Sequence, residues 1–238
     1  MKQEIYFSQS PKKGQIECGR VGRNVYDEAY FEGRHSNYWW TVGRYENLRQ
    51  FPHWEEMLKL IQEFRSGGRL LDVGCAYGLL VNEASKHFES YGIDVSRFAV
   101  QKSKKYCKGN ISRASAVNLP FKDESFDAIT LVDTLEHVPD YSNCLRDVVR
   151  VLKKGGVLLL QLPNPLIWAH VCAKIGLDDE THMNNFGLEQ WQMVLLESGV
   201  KIEKCFGFIA YGFRKVRFFA KSKRAASLFP ELWIIARK

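Results

Sequence analysis

The stretch Leu70-Leu71-Asp72-Val73-Gly74-Cys75-Ala76-Tyr77-Gly78-Leu79-Leu80 decides the fold. It reads as a short apolar strand, a turn punctuated by small residues, and the first turn of a helix. Gly74, Ala76 and Gly78 permit turn dihedrals that bulky side chains resist, and they let a ligand approach the backbone. Twenty residues after Gly74, Tyr91-Gly92-Ile93-Asp94 reads as a second strand that ends in a carboxylate. A glycine-rich first βα turn with an acid at the end of the next strand is how doubly wound sheets hold an adenosine ribose. Asp94 is the expected acceptor, because its two oxygens suit a vicinal diol.

A dinucleotide fits this turn badly. The dinucleotide fingerprint places glycines at i, i+2 and i+5, so that a pyrophosphate rests on the helix N-terminus. Counted from Gly74, those places hold Ala76 and Leu79, and no Lys or Arg stands in the turn. The expected ligand carries adenosine without phosphates. Asp72 lies inside the apolar strand, where a carboxylate needs donors to offset its burial.

Outward from this centre the chain alternates strand and helix. Helices are expected over 78–88, from a Ser96 cap to Cys107, over Asp140–Lys153 and over 188–198. Strands are expected at 69–73, 90–94, 110–114, 126–132, 157–162, 200–206 and 232–236, with Gly155-Gly156 stopping the third helix. The continuous apolar run at 157–162 is the pattern of a central parallel strand. Before the core, Leu48, Phe51, Trp54, Leu58 and Ile61 recur at helical spacing over 46–64, with Pro52 starting or kinking the helix. Residues 1–25 show no sustained period. An aromatic cluster follows, with Tyr38, Trp39 and Trp40 close to Arg44.

These segments together resemble the class I S-adenosylmethionine-dependent methyltransferases, in the branch acting on metabolites, quinones and lipids. The resemblance covers roughly residues 55–238. It rests on Leu71 to Gly78, Gly92-Ile93-Asp94, Asn118-Leu119-Pro120-Phe121, Phe126-Asp127-Ala128-Ile129, Leu135-Glu136-His137-Val138 and Leu152-Lys153-Lys154-Gly155-Gly156, all in order. It implies an α/β fold: a seven-stranded, mostly parallel, doubly wound sheet with an antiparallel last strand. It also implies S-adenosylmethionine as cofactor, S-adenosylhomocysteine as product, and methyl transfer to an O, N or C atom of a small-molecule or amphiphilic acceptor.

On matching positions the resemblance implies cofactor contacts from Asp72, Gly74, Cys75, Ala76 and Gly78 in the turn, and from Asp94 and Val95 after the second strand. Further contacts are implied for Ser115, Ala116 and Val117 in the next loop, and for Val132, Asp133 and His137 at the fourth strand. Ser115-Ala116-Val117 departs from the family, which usually has an acid there for the adenine amino group; a hydroxyl or a backbone carbonyl takes that part. Leu119, Pro120 and Phe121 offer an apolar wall, or Phe121 is core.

His137 and His182 are the candidate bases, since an unperturbed imidazole pKa of about 6.5 suits proton removal from a hydroxyl acceptor. The plainer reading of each is a histidine that fixes a loop. Tyr38 and Trp39 offer aromatic faces to a sulfonium, a cation–π attraction of about 0.5–2 kcal/mol, and Arg44 offers a partner for the cofactor carboxylate. A hydrophobic lid packed on the sheet explains the same residues. No metal-ligand spacing is present, and no metal is expected.

The chain has 238 residues and enough apolar content for one core, so a single domain is expected at 55–238. Residues 1–54 form an aromatic-rich extension or lid, and 163–186 and 207–230 are insertions on the acceptor side. Six dispersed Cys without paired spacing, and a polar Met1–Gly14 without an apolar signal core, point to a cytoplasmic protein. The net charge of +7 is local: residues 201–238 hold ten Lys or Arg against two acids. Aromatics interleaved with cations over 206–229 suit peripheral contact with an anionic membrane, or a connecting helix with solvated cations. A nicotinamide-dependent oxidoreductase, a cofactor-binding scaffold without turnover and, more weakly, a nucleic-acid enzyme are the rival readings. Leu162-Pro163-Asn164-Pro165 is only a distant echo of an amino-methylation motif.

Overall fold

The computed structural model describes residues 25–32, 45–50, 53–165, 181–211, 216–220 and 226–238. Tyr38, Trp39, Trp40 and Arg44 lie outside these residues, as does most of the 163–186 insertion.

Eight strands form one sheet: β1 (Arg69–Val73), β2 (Glu89–Asp94), β3 (Asn110–Arg113), β4 (Phe126–Val132), β5 (Leu152–Pro163), β6 (Lys201–Tyr211), β7 (Val216–Ala220) and β8 (Glu231–Arg237). Their spatial order is β3-β2-β1-β4-β5-β8-β6-β7. The pairs from β3 to β5 are parallel, and β8 runs antiparallel between β5 and β6. The order reverses between β1 and β4, so a crevice opens beyond the carboxyl ends of those strands, where open α/β sheets take ligands.

Among the described residues the helices are α1 (Glu28–Phe31), α2 (His53–Gln62), α3 (Leu79–Ala84), α4 (Arg97–Tyr106), α5 (Tyr141–Val151) and α6 (Leu188–Glu197), with 3-10 turns at Tyr45–Gln50 and Leu135–His137. Strand alternation sorts the core into two faces. Leu71, Val73, Ile129, Leu131, Leu158 and Leu160 meet Leu145, Val148 and Val151 of α5 and Trp191 and Leu195 of α6. Leu70, Ala128, Val157 and Leu159 meet Met57 and Ile61 of α2, Leu80 of α3 and the aromatics Tyr30, Phe31 and Tyr45. Each Val, Leu, Ile, Phe or Met among them contributes about 1.5–3 kcal/mol when fully buried. Asp140 caps α5 and Ser96 caps α4, each accepting a backbone N–H of the first turn.

Three local expectations are corrected. The helix at 46–64 is a 3-10 turn and a separate α2 with Pro52 between them, as a ring without an N–H dictates. The glycine pair does not stop α5, which ends at Val151; Gly155 (φ +69°) sits within β5, where the register with β4 shifts. The segment after 206 is not a connecting helix. β6 continues to Tyr211 and β7 returns antiparallel to it, adding an eighth strand to the expected seven. Aromatic and β-branched residues favour this extended form, and Gly207 leaves room for Ala226, whose Cα would lie 2.7 Å from an added Cβ.

The loop before β4 is held by one guanidinium. Arg150 of α5 donates from Nε to Asp147 at 2.6 Å, from Nη1 to the Phe121 carbonyl and Asp123 at 2.8 Å, and from Nη2 to the Leu119 carbonyl at 3.1 Å. Arg150→Ala is expected to speed amide exchange over residues 118–125 at least tenfold, at a global cost of about 1–3 kcal/mol in urea unfolding. Arg150→Lys, with charge but no planar fork, should fall between the two. Unchanged exchange in this loop would contradict the clamp.

Candidate active site at the carboxyl edge of the sheet

The turn after β1 is stitched to the end of β2. Gly74 and Cys75 both donate their N–H to the Ile93 carbonyl, at 2.8 and 2.9 Å. Ala76, at φ +46°, donates to Asp94 Oδ2 at 2.8 Å, and Ser96 donates to Asp94 Oδ1 at 2.7 Å. Each carboxylate oxygen thus engages one amide and keeps acceptor capacity. Burial pushes the Asp94 carboxyl up to about 6, against the pull of the Ser96 and Ala76 amides.

The small residues also meet a packing demand on the side of the turn where a Cβ would stand. A Cβ on Gly74 (φ +79°) would lie 2.3 Å from Thr134 Oγ1, and one on Gly78 (φ +72°) would lie 2.2 Å from Ile111 Cδ1. Neighbouring side chains fill both gaps, so these glycines serve close packing as well as the left-handed turn. Cys75 is buried, with Sγ 3.9 Å from the Ala76 carbonyl, and burial raises its thiol well above the ordinary range. It is therefore a packed thiol, not a thiolate.

Asp72 finds its donor across the sheet. Thr130, its register partner on β4, donates Oγ1–H to Asp72 Oδ1 at 2.7 Å. Burial nevertheless raises the Asp72 carboxyl to about 7, opposed by the Thr130 bond and aided by the nearby Asp94 charge.

At the carboxyl ends of β2 and β3, Ala114 donates to the Asp94 carbonyl at 3.1 Å and Arg113 donates Nε–H to the Val95 carbonyl at 2.9 Å. These bonds bring the loops after β2 and β3 together. Val95, next to Asp94 in sequence, and Val117 are 37% and 38% exposed, apolar side chains on the two loops so joined. Ser115 forms a bridge with Asn118, its hydroxyl accepts the Val117 N–H at 3.4 Å, and Ala116 is half-buried. Phe121 turns the other way and packs edge-on against Phe126, 4.8 Å between centroids, so it is core.

At the end of β4, Val132 is half-buried and Asp133 adopts φ +45°. A non-glycine in this region is strained, and such strain clusters at functional sites. Gln161 of β5 donates Nε2–H to Asp133 Oδ2 at 2.8 Å, while burial pushes the Asp133 carboxyl up to about 7. The other amide atom, Gln161 Oε1, is buried without a hydrogen-bond partner among the described residues.

The 3-10 turn that follows carries Glu136 and His137, and the loop 181–184 is sewn onto it. Met183 and Asn184 donate N–H to the Glu136 carbonyl at 2.8 and 3.0 Å. The Asn184 side chain donates to the Leu135 and Val138 carbonyls at 3.0 and 2.7 Å. His137 Nδ1 lies 3.3 Å from the Thr181 carbonyl and 2.9 Å from its hydroxyl. These contacts bring His182 to His137, with ring centroids 4.7 Å apart. Tyr26 spans the crevice: its carbonyl accepts from Ser96 Oγ at 2.6 Å and its ring meets His137 edge-on at 5.9 Å.

Several of these residues escape a reading by sequence. Thr130, Thr134 and Gln161 act through strand register, which the chain does not spell out; a polar Gln in an apolar strand was the one visible sign. Glu136 stands in a quoted motif, but the loop its carbonyl holds lies some 45 residues away, and the Thr181 hydroxyl meets His137 across a similar distance.

With this geometry in hand, comparison with known proteins defines the class. Residues 71–160 match the family model described as a methyltransferase domain. A demethylmenaquinone methyltransferase of Bacillus licheniformis is 31% identical over 128 residues, covering 50% of this chain and 55% of that protein. A ubiquinone biosynthesis O-methyltransferase of Alkalilimnicola ehrlichii is 28% identical over 186 residues, covering 74% of this chain and 75% of the relative. The chain spans little more than half the length of the demethylmenaquinone relatives. Among solved structures, a Thermotoga maritima methyltransferase described as a possible histamine N-methyltransferase aligns with a TM-score of 0.65 at 19% identity, covering 85% of this chain and 98% of that one. Residues 71–160 therefore carry a methyltransferase domain, on a fold shared with a solved methyltransferase.

The Asp72 carboxyl gives a direct test of the buried turn. Its folded value of about 7 lies above the ordinary 3.8, so between about pH 4 and pH 7 the folded chain keeps a proton that the unfolded chain releases. Stability therefore falls as pH rises through this window. In ligand-free protein, Asp72→Asn removes that dependence and retains an acceptor for Thr130. Urea unfolding is expected to show the variant gaining on the wild type by on the order of 2–4 kcal/mol from pH 4.5 to pH 8. A difference independent of pH would mean that Asp72 is ionised throughout.

Proposed function

We propose that the protein transfers the methyl group of S-adenosylmethionine to a small-molecule acceptor of quinol type. The observation that carries this reading is the Asp94 carboxylate bound to a glycine turn that holds no Lys or Arg. A diol acceptor on a turn without cations suits adenosine carrying a sulfonium better than it suits a pyrophosphate. The six-residue α3, with Leu79 where a third glycine would stand, weighs against a nicotinamide dinucleotide. The relatives named for demethylmenaquinone and ubiquinone biosynthesis support a quinol-type acceptor.

S-adenosylmethionine supplies an electrophilic methyl group on a sulfonium. Asp94 holds the ribose hydroxyls, and the backbone from Gly74 to Gly78 lines the methionyl part with Cys75 and Ala76. Val95 and Ser115, Ala116 and Val117 bracket the adenine. Asp133, oriented by Gln161, receives the ammonium beside Val132, and that positive charge would favour the ionised carboxyl. Asp72 acts behind the turn rather than on the ligand. His137 and His182 stand on the acceptor side, where a hydroxyl nucleophile must lose its proton. The attack is in line, so alignment and exclusion of water supply much of the acceleration.

Calorimetry with S-adenosylhomocysteine, beside NAD as control, tests the cofactor. Asp94→Ala is expected to weaken binding at least tenfold, about 1.5–3 kcal/mol for each charged hydrogen bond removed. Asp94→Asn should be milder. Wild-type affinity in Asp94→Ala would sink the ribose assignment, and release of S-adenosylhomocysteine with hydroquinone acceptors checks the transfer itself.

A further inference from the structure

Glu136, His137 and His182 bring one carboxylate and two imidazoles together beyond the carboxyl end of β4, where Glu136 follows Asp133 by three residues. One ligand-type atom from each lies within 4.8 Å of the other two. We propose that these three side chains bind a divalent transition-metal ion. Sequence spacing hides this set, because the ligands come from a 3-10 turn and from a loop far along the chain.

The surroundings are built for ligation. Glu136 is 1% exposed, so its carboxylate is held in a fixed, poorly hydrated place rather than waving in solvent. His137 Nδ1 is held by Thr181, 2.9 Å from its hydroxyl and 3.3 Å from its carbonyl, which fixes the ring. The other nitrogen, Nε2, lies 4.0 Å from Glu136 Oε1. An imidazole whose far nitrogen is hydrogen-bonded is the usual support of a metal-bound histidine. The ligand backbones are fixed as well: the Met183 and Asn184 amides, the two that follow His182, grip the Glu136 carbonyl. Zinc bonds of about 2.0–2.2 Å require ligand atoms about 3.4 Å apart, a closure that side-chain rotation supplies.

Two imidazoles and one carboxylate favour zinc- or iron-like ions over magnesium or calcium, which prefer oxygen alone. Three protein ligands also leave positions open, as catalytic rather than structural metal sites do. If the methyl-transfer reading holds, an acceptor oxygen takes an open position and its proton becomes more acidic there. The metal site itself does not depend on that reading.

The test uses tag-free, chelator-stripped full-length protein. Cobalt(II) is added and followed by visible absorption, zinc binding is followed by calorimetry, and S-adenosylhomocysteine binding is measured on the same samples. One equivalent should bind, with a visible d–d spectrum and no thiolate-to-cobalt charge-transfer band, which sets the site apart from the cysteines. Glu136→Gln and His182→Ala should each weaken zinc at least tenfold, and His182→Ala lies on a half-buried loop where folding tolerates it. Equal zinc affinity in wild type and both variants, or a thiolate band, would overturn the metal site. Retained S-adenosylhomocysteine binding in that event would leave the cofactor reading standing with the histidines as bases.

Discussion

The Asp94 carboxylate is the tie on which the crevice depends. Its two oxygens take the Ala76 and Ser96 amides, one from the turn after β1 and one from the start of α4. Without it, the left-handed backbone at Ala76 would lose the bond that offsets its strain. The same turn is closed from behind by the Thr134 side chain against Gly74, so the end of β4 and the end of β2 are both registered against one short loop. A ligand that uses the turn therefore meets a surface already assembled, and little ordering entropy remains to oppose its binding.

The site divides chemically along the sheet edge. Toward β2 and β3 it is an acid and exposed valines, a surface for a sugar and a flat ring. Toward β4 and β5 it is strained, carboxylate-rich and imidazole-rich. Tyr26 lies across both halves, bonded to Ser96 and edge-on to His137, and Phe31 behind it packs against Tyr77 of the turn at 5.3 Å. The described part of the N-terminal region is thus continuous with the core face that carries α2 and α3.

Much of this was legible in the sequence, for physical reasons that can be named. The β1 turn and Asp94 announce themselves because turn dihedrals and a strand-end acid leave local marks. The caps Ser96 and Asp140 do so because capping is a matter of three residues. The pairs that depend on register or on a distant loop left no such mark: Asp72 with Thr130, Asp133 with Gln161, and His137 with His182. The hairpin of β6 and β7 was misread because cations interleaved with aromatics fit a helix face as readily as a strand. Asn164 shows the opposite error of over-reading a motif. Its side chain is spent on the Ser227 and Phe229 carbonyls, at 2.8 Å each, as a brace for the turn before β8.

That brace bears on how the chain is made. β8 is wholly buried along Leu232–Ala236, yet it enters between β5 and β6, both of which are synthesised earlier. While the ribosome still holds β8, the edge of β5 stands open with its apolar run of Leu158, Leu159 and Leu160 uncovered. β6 runs in the direction that would let it pair with β5 in parallel and take the wrong place. Exposed strand edges and long-range pairing are what make nascent α/β chains slow and prone to association. For this protein the hazardous interval in a cell is the time between the appearance of β6 and the arrival of β8, and a holdase that covers the β5 edge would shorten its consequences.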